Sequence, residues 1–123
     1  MAQLQRDLTP KMDRREKGAH SEEAAARYLE EKGYRILQRN FRWKGGEIDI
    51  VAGKKDLIVF VEVRARASPE FGRAAETVNW SKREKLKRTA LLYLQKNRLD
   101  RPTRFDVIAF DGENMTHIEN AFD

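Results

Sequence analysis

Apolar positions along this 123-residue chain follow two different periods. Between Ser21 and Gly33, Ala25, Tyr28 and Leu29 recur at helical spacing. The spacing predicts a helix with Ser21 as its N-cap and Gly33 as its stop. Tyr34 to Trp43 reads as an extended segment, with Tyr34, Ile36 and Phe41 turned inward. Lys44-Gly45-Gly46 turns the chain into a strand over Glu47–Ala52. Gly53-Lys54-Lys55-Asp56 turns it again into Ile58–Arg64. Leu57 to Val63 is almost continuously apolar, as expected of a central strand covered on both faces. A loop over 67–79 is punctuated by Pro69 and Gly72. Ser81-Lys82-Arg83-Glu84 has the form of a capping box opening a second helix, whose stripe is Leu86, Ala90, Tyr93 and Leu94. A loop over 97–103, a strand over Arg104–Phe110, a turn at Asp111-Gly112 and a short strand over Met115–Ile118 complete the chain. The order α-β-β-β-α-β-β predicts an α/β sandwich, a mixed central sheet flanked by helices. Residues 1–16, dense in charge and containing Pro10, read as a flexible tail before a single domain over 17–123.

Acids interrupt the two strongest strands where a purely structural strand would carry none. An ionised carboxylate in a low-dielectric setting costs several kcal/mol unless a cation compensates it. Strand alternation puts Glu47, Asp49 and Val51 on one face, with Ile48 and Ile50 on the other. Ile58, Phe60, Glu62 and Arg64 likewise share a face. If Ala52 pairs with Leu57, Asp49 and Glu62 become diagonal neighbours about 7 Å apart, close enough for one divalent ion to bind both. The alternative is a solvated strand face with scattered charge. Glu22 falls on the side of Ala25 and Leu29, facing either the core or a site; an acid that only favours the helix N-terminus is the other reading. Lys82 lies one turn before Leu86 on the second helix's inward stripe, as a site residue or a snorkelling lysine.

Charge sharpens this picture. The net charge is +5. From Arg64 to Arg104 there are twelve Lys and Arg against four acids. A basic field beside an acidic pocket suits a polyanion such as nucleic acid, although a solubilising helix surface would look alike. The chain has no cysteine, which excludes disulfides and thiolate chemistry. Two histidines make a histidine-rich zinc site a poor expectation. No run approaches the roughly 20 apolar residues that span a bilayer, and residues 1–18 lack the apolar stretch of a signal peptide. A cytoplasmic location without a membrane partner is the expectation.

An Asp in one strand followed by Glu-Val-basic in the next resembles the restriction endonuclease-like, PD-(D/E)XK, nucleases. The resemblance covers Gly18 to Asp123 and is closest to the bacterial YraN-like family, related in fold to archaeal Holliday junction resolvases. It rests on Ser21-Glu22 with Ala25, Tyr28 and Leu29; Asn40; Gly46-Glu47-Ile48-Asp49; Phe60 to Arg66; Phe71-Gly72; Lys82; Arg104-Phe105-Asp106-Val107; and Asn120-Ala121-Phe122. The resemblance implies that Asp49 binds a metal, that Glu62 is the second carboxylate and that the Val63 carbonyl is a further ligand. It also implies that Glu22 acts as the first-helix acid and that Lys82 is the basic residue of the next helix. Arg64 departs from the pattern, which has lysine there. Arginine stays protonated and can only stabilise charge, through a planar fork that fits phosphate.

The expectation is therefore a Mg²⁺- or Mn²⁺-dependent endonuclease acting on DNA, branched or single-stranded. Asp49, Glu62, Arg64, Glu22 and Lys82 would form its catalytic set. Arg64, Arg66, Arg73, Lys82, Arg83 and Lys87 would contact the nucleic acid. The rival expectation is a nucleic-acid-binding module on a nuclease fold that does not cut. Resolvases act as dimers, and the 67–79 loop is one candidate for a homodimer surface.

Overall fold

The computed structural model describes residues 14–66 and 79–122. Among these, helix α1 spans Arg14–Glu31, β1 Arg35–Trp43, β2 Gly46–Lys54, β3 Leu57–Arg66, α2 Trp80–Lys96, β4 Thr103–Asp111 and β5 Asn114–Ile118. The five strands form one sheet whose spatial order is their chain order. β3 and β4 are parallel, with α2 in the connection between them, and the other pairs are antiparallel. The expected α/β sandwich with a mixed sheet is the architecture observed.

Both faces of β3 are covered, as its apolar run requires. Val59 and Val61 join Ala25, Ala26 and Leu29 of α1, together with Tyr34, Ile50, Ala52 and Ile108. Ile58 and Phe60 join Leu86, Ala90 and Tyr93 of α2, together with Phe41, Ile48, Val107 and Phe122. Gly46 lets α2 come close: a Cβ there would lie 2.7 Å from the Thr89 hydroxyl. Thr89 is fully buried. It accepts a hydrogen bond from Trp43 Nε1 (2.8 Å) and donates one to the Lys85 carbonyl (2.7 Å), which satisfies a polar group placed in the core.

Three local expectations need correction. Helix α1 begins at Arg14, so Ser21 is an interior helical residue and not its cap, and the helix reaches into the stretch read as tail. Gly18 is tolerated inside it, at a cost of about 1 kcal/mol relative to alanine. Helix α2 begins at Trp80 with Asn79 as N-cap. The Asn79 side chain accepts from the Lys82 amide at 3.1 Å, leaving the Ser81–Glu84 box unused. Lys54 pairs with Leu57, so the β2–β3 turn is the two residues Lys55-Asp56, with Lys55 at φ 55°. That register differs by two from the pairing of Ala52 with Leu57. A two-residue shift preserves faces, and with Ile50–Val61 as the last pair, Asp49 and Glu62 are the first residues beyond the paired ladder. Residues 1–13 and the 67–78 part of the expected loop, with Arg73, lie outside the described residues.

A fourth correction matters most for the site. Ile48 and Ile50 would share a face in a regular strand, yet Ile48 packs on the α2 side and Ile50 on the α1 side. The alternation slips at Asp49. On β1 the same slip falls at Asn40, which lies across from Asp49 between the pairs Arg39–Ile50 and Phe41–Ile48 and has φ 54°. Asparagine is among the few non-glycine residues that enter this left-handed region readily.

Candidate functional site

The slip at Asp49 opens the sheet into a fork. β2 pairs with β3 only as far as Ile50–Val61. Beyond that point β2 stays with β1 to Trp43–Gly46, while β3 stays with β4 to Arg66–Asp111. The Asp49 carboxylate reaches across the gap, and its Oδ2 accepts from the Val63 amide at 2.8 Å. A side chain thus takes the place of a missing ladder carbonyl. A pocket of about 160 Å³ lies at the fork, lined by Glu22, Glu47, Asp49, Glu62, Val63 and Arg64 together with Ser21 and Ala65.

Carboxyl groups crowd this pocket. Glu62 is 8% exposed. Burial, followed by a hydrogen bond with Asp49 and the charge of that neighbour, pushes the Glu62 carboxyl up to about 9. Two carboxylates this close do not both ionise readily without a compensating cation. Burial and then the charge of Asp49 also push Glu22 up. Its Oε1 atom is buried and finds no hydrogen-bond partner among the described residues. Glu47 is more open, and pairs with Arg42 at 3.0 Å.

Cations border the acids. Arg64, next to Glu62 on the same face of β3, donates from Nη2 to Glu62 Oε2 at 2.9 Å. The Nε atoms of Arg64 and Arg66 are buried without an acceptor among the described residues. Lys82 is half-buried on the first turn of α2. Burial and then the nearby Arg64 charge push its ammonium down, opposed by Glu62 and Asp49. This places Lys82 within the field of the site, although not on the pocket wall.

A metal fits this donor set in chemistry. Carboxylate oxygens are hard ligands suited to Mg²⁺ or Mn²⁺, and Glu22 Oε1 is an unused buried acceptor. Among the described residues, no three acidic or imidazole side chains converge into a ready-made cage. Mg²⁺ does not require one, since it commonly takes one or two carboxylates and completes its shell with water and phosphate oxygens.

The family model described as "Uncharacterised protein family UPF0102" matches residues 21–110, a span that contains Glu22, Asp49, Glu62, Arg64 and Lys82. The chain belongs to the UPF0102 family. A UPF0102 protein of Thermodesulfovibrio yellowstonii is 47% identical over 111 residues, covering 90% of this chain and 99% of the relative. One from Clostridioides difficile is 45% identical over 114 residues, covering 90% and 100%. One from Janthinobacterium sp. is 42% identical over 116 residues, covering 94% of each. The resemblance to the YraN-like family is therefore borne out at the level of the family.

The UPF0102 chain thus brings together Glu22, Asp49, Glu62, Val63 and Arg64 at one pocket, with Lys82 beside it. Arg83 and Lys87 stand elsewhere, on α2's outer surface. The Arg83 guanidinium lies 5.4 Å from the Phe122 ring centroid, and Lys87 pairs with Glu84 at 3.2 Å. Ser21 and Glu47 were not anticipated as lining residues. Strict alternation put Glu47 on the face of Asp49 and Val51, and it is the slip at Asp49 that brings it to the pocket beside Glu22. Ser21 was hidden by its reading as a cap. A second buried polar cluster lies under α1. Burial raises the Asp106 carboxyl, but hydrogen bonds from His117 (2.7 Å) and Arg104 (2.8 Å from both Nε and Nη2) outweigh it and hold the group low. No helix among the described residues is long and apolar enough to cross a membrane.

Proposed function

We propose that this UPF0102 protein is a divalent-metal-dependent endonuclease that hydrolyses phosphodiester bonds in DNA, branched or single-stranded. The observation that carries the reading is the pairing of Asp49 with Glu62 across the β2–β3 fork, with Glu62 driven toward its protonated form. A proton there stands where a cation would offset two carboxylates. Asp49 and Glu62 would hold Mg²⁺ or Mn²⁺, with the Val63 carbonyl as a further ligand and Glu22 orienting water at the open side. A divalent ion so held lowers the pKa of water and polarises a phosphoryl oxygen. Arg64 and Arg66 meet the phosphate through guanidinium groups whose buried Nε donors find no acceptor among the described residues. Lys82 adds a charge that burial, and then the neighbouring Arg64, already disfavours and that an incoming phosphate would stabilise. The remaining bases, Arg73, Arg83 and Lys87 among them, track the backbone and give salt-dependent affinity with little sequence preference.

The test is a cleavage panel of duplex, flap, junction and single-stranded DNA with Mg²⁺ or Mn²⁺. Wild type is expected to nick or cut at least one structured or single-stranded substrate. The Asp49→Asn, Glu62→Gln double variant is expected to lose at least a hundredfold of that rate, since two metal ligands go at once. Equal cleavage by both proteins would remove this site from the account. One observation favours a second reading, a module that binds DNA without cutting it. Arg64 already occupies Glu62 Oε2, and arginine cannot serve as a proton acceptor. Tight DNA binding with neither uptake of divalent ions nor cleavage of any substrate would select that reading.

A further inference from the structure

Helix α2 carries six Lys or Arg and one acid. Its inward stripe, Leu86, Thr89, Ala90 and Tyr93, is buried against the sheet. The opposite face bears Trp80, Glu84, Lys87 and Leu91, which recur at i, i+4, i+7 and i+11 and therefore line up along the helix. Trp80 is 73% exposed and Leu91 56%. The indole is offered to solvent on a helix whose bases outnumber its acid six to one, with Lys87 of this face paired to Glu84 at 3.2 Å. Arg83 lies one turn on from Trp80, with its guanidinium over Phe122. The Asn79 cap, bonded to the Lys82 amide, fixes the first turn that carries both Trp80 and Lys82. Lys82 in turn lies in the field of Asp49 and Glu62. A flat aromatic surface among cations is the combination that holds single-stranded nucleic acid, by base stacking together with backbone attraction.

We propose that the outer face of α2 is a single-strand binding surface, on which Trp80 stacks against an unpaired DNA base while Arg83 and Lys87 attract the adjoining phosphates. The inference rests on the nucleic-acid reading above and narrows it, since a base inside uninterrupted duplex has no free face to offer. The ligand class is single-stranded DNA, or the unpaired arm of a branched molecule.

The chain's two tryptophans make the test direct. Trp43 is anchored to Thr89 and serves as an internal reference. Full-length protein in EDTA, where no cleavage occurs, is titrated with oligo(dT) and with a duplex of equal length at low salt; tryptophan emission is followed with unlabelled DNA, and affinity is read for every variant from the anisotropy of end-labelled DNA. Oligo(dT) should quench the wild type and leave the emission of Trp80→Phe almost unchanged. Trp80→Ala should weaken oligo(dT) binding roughly tenfold, Trp80→Phe by less, and duplex binding should change less than twofold in either. Trp80→Ala binding oligo(dT) as tightly as wild type would overturn the stacking proposal and leave the nuclease reading standing. Wild type failing to bind any DNA would overturn both. Quenching by anionic phospholipid vesicles but not by oligo(dT), or a Trp80-dependent dimer in light scattering without a DNA effect, would assign the face to a membrane or to a second copy and overturn the proposal.

Discussion

At the scale of single residues, Glu62 decides the chemistry of the pocket. Its folded value of about 9 lies above the 4.5 of an unperturbed glutamate. Between those limits the folded chain holds a proton that the unfolded chain has released. The resulting contribution to stability is complete below pH 4.5 and declines as pH rises through the folded value. Without divalent ions, the melting temperature of wild type should therefore fall from pH 5 to pH 9 relative to that of Glu62→Gln, which carries no titrating group there. Parallel melting profiles for the two proteins would show that Glu62 titrates normally. Asp106 has the opposite sign: its carboxyl is held low, so its contribution is lost as pH falls. Comparing wild type with Glu62→Gln at each pH cancels that background. Arg64 is the residue at which the nuclease pattern and this chain part, and its hydrogen bond to Glu62 Oε2 makes it a competitor for the oxygen a metal would take.

At the scale of elements, the site depends on a fault shared by two strands. Asn40, at φ 54°, and Asp49 across from it mark where β1 and β2 exchange faces and where β2 leaves β3. A β-branched residue in the left-handed region costs about 1–2 kcal/mol, whereas glycine enters it freely. Urea denaturation should accordingly find Asn40→Val less stable than wild type by about that amount and Asn40→Gly close to wild type. Equal stability of the two variants would separate the kink from Asn40. The strands and both helices were legible in the sequence, because runs such as Leu57–Val63 and stripes such as Leu86, Ala90 and Tyr93 carry period and burial together. Helix starts were less legible. Ser21 and the Ser81–Glu84 box have cap chemistry, but Arg14–His20 contains nothing strong enough to stop a helix, and Asn79 competes with Ser81 on equal terms. The fork could not be read at all from strict alternation, which assumes a regular strand through Asp49. That Asp49 and Glu62 meet was legible, because a register error of two residues keeps side chains on their faces.

At the scale of the molecule, two polar clusters sit on one five-stranded sheet and do different work. Asp106, under α1, is fully saturated by Arg104, His117 and the Asn120 amide, and it ties β4 to β5. Tyr28 and Tyr34 extend that network to α1 and to the start of β1. Such a closed network stabilises and offers no group to a ligand. The cluster in the fork has the reverse character: a Glu22 oxygen and the Nε donors of Arg64 and Arg66 find no partner among the described residues, and a carboxyl is displaced from its usual range. Polar groups left unsatisfied in the free protein are the ones that a ligand can satisfy. Whether Asp49 and Glu62 share one hard cation is read by titrating Mn²⁺ calorimetrically at pH 7 in two buffers of different ionisation enthalpy. Wild type should bind one ion per chain and release about one proton, the one held by Glu62, and Asp49→Asn should lose the binding heat. Identical Mn²⁺ uptake by wild type and Asp49→Asn, or no uptake by either, would contradict the account.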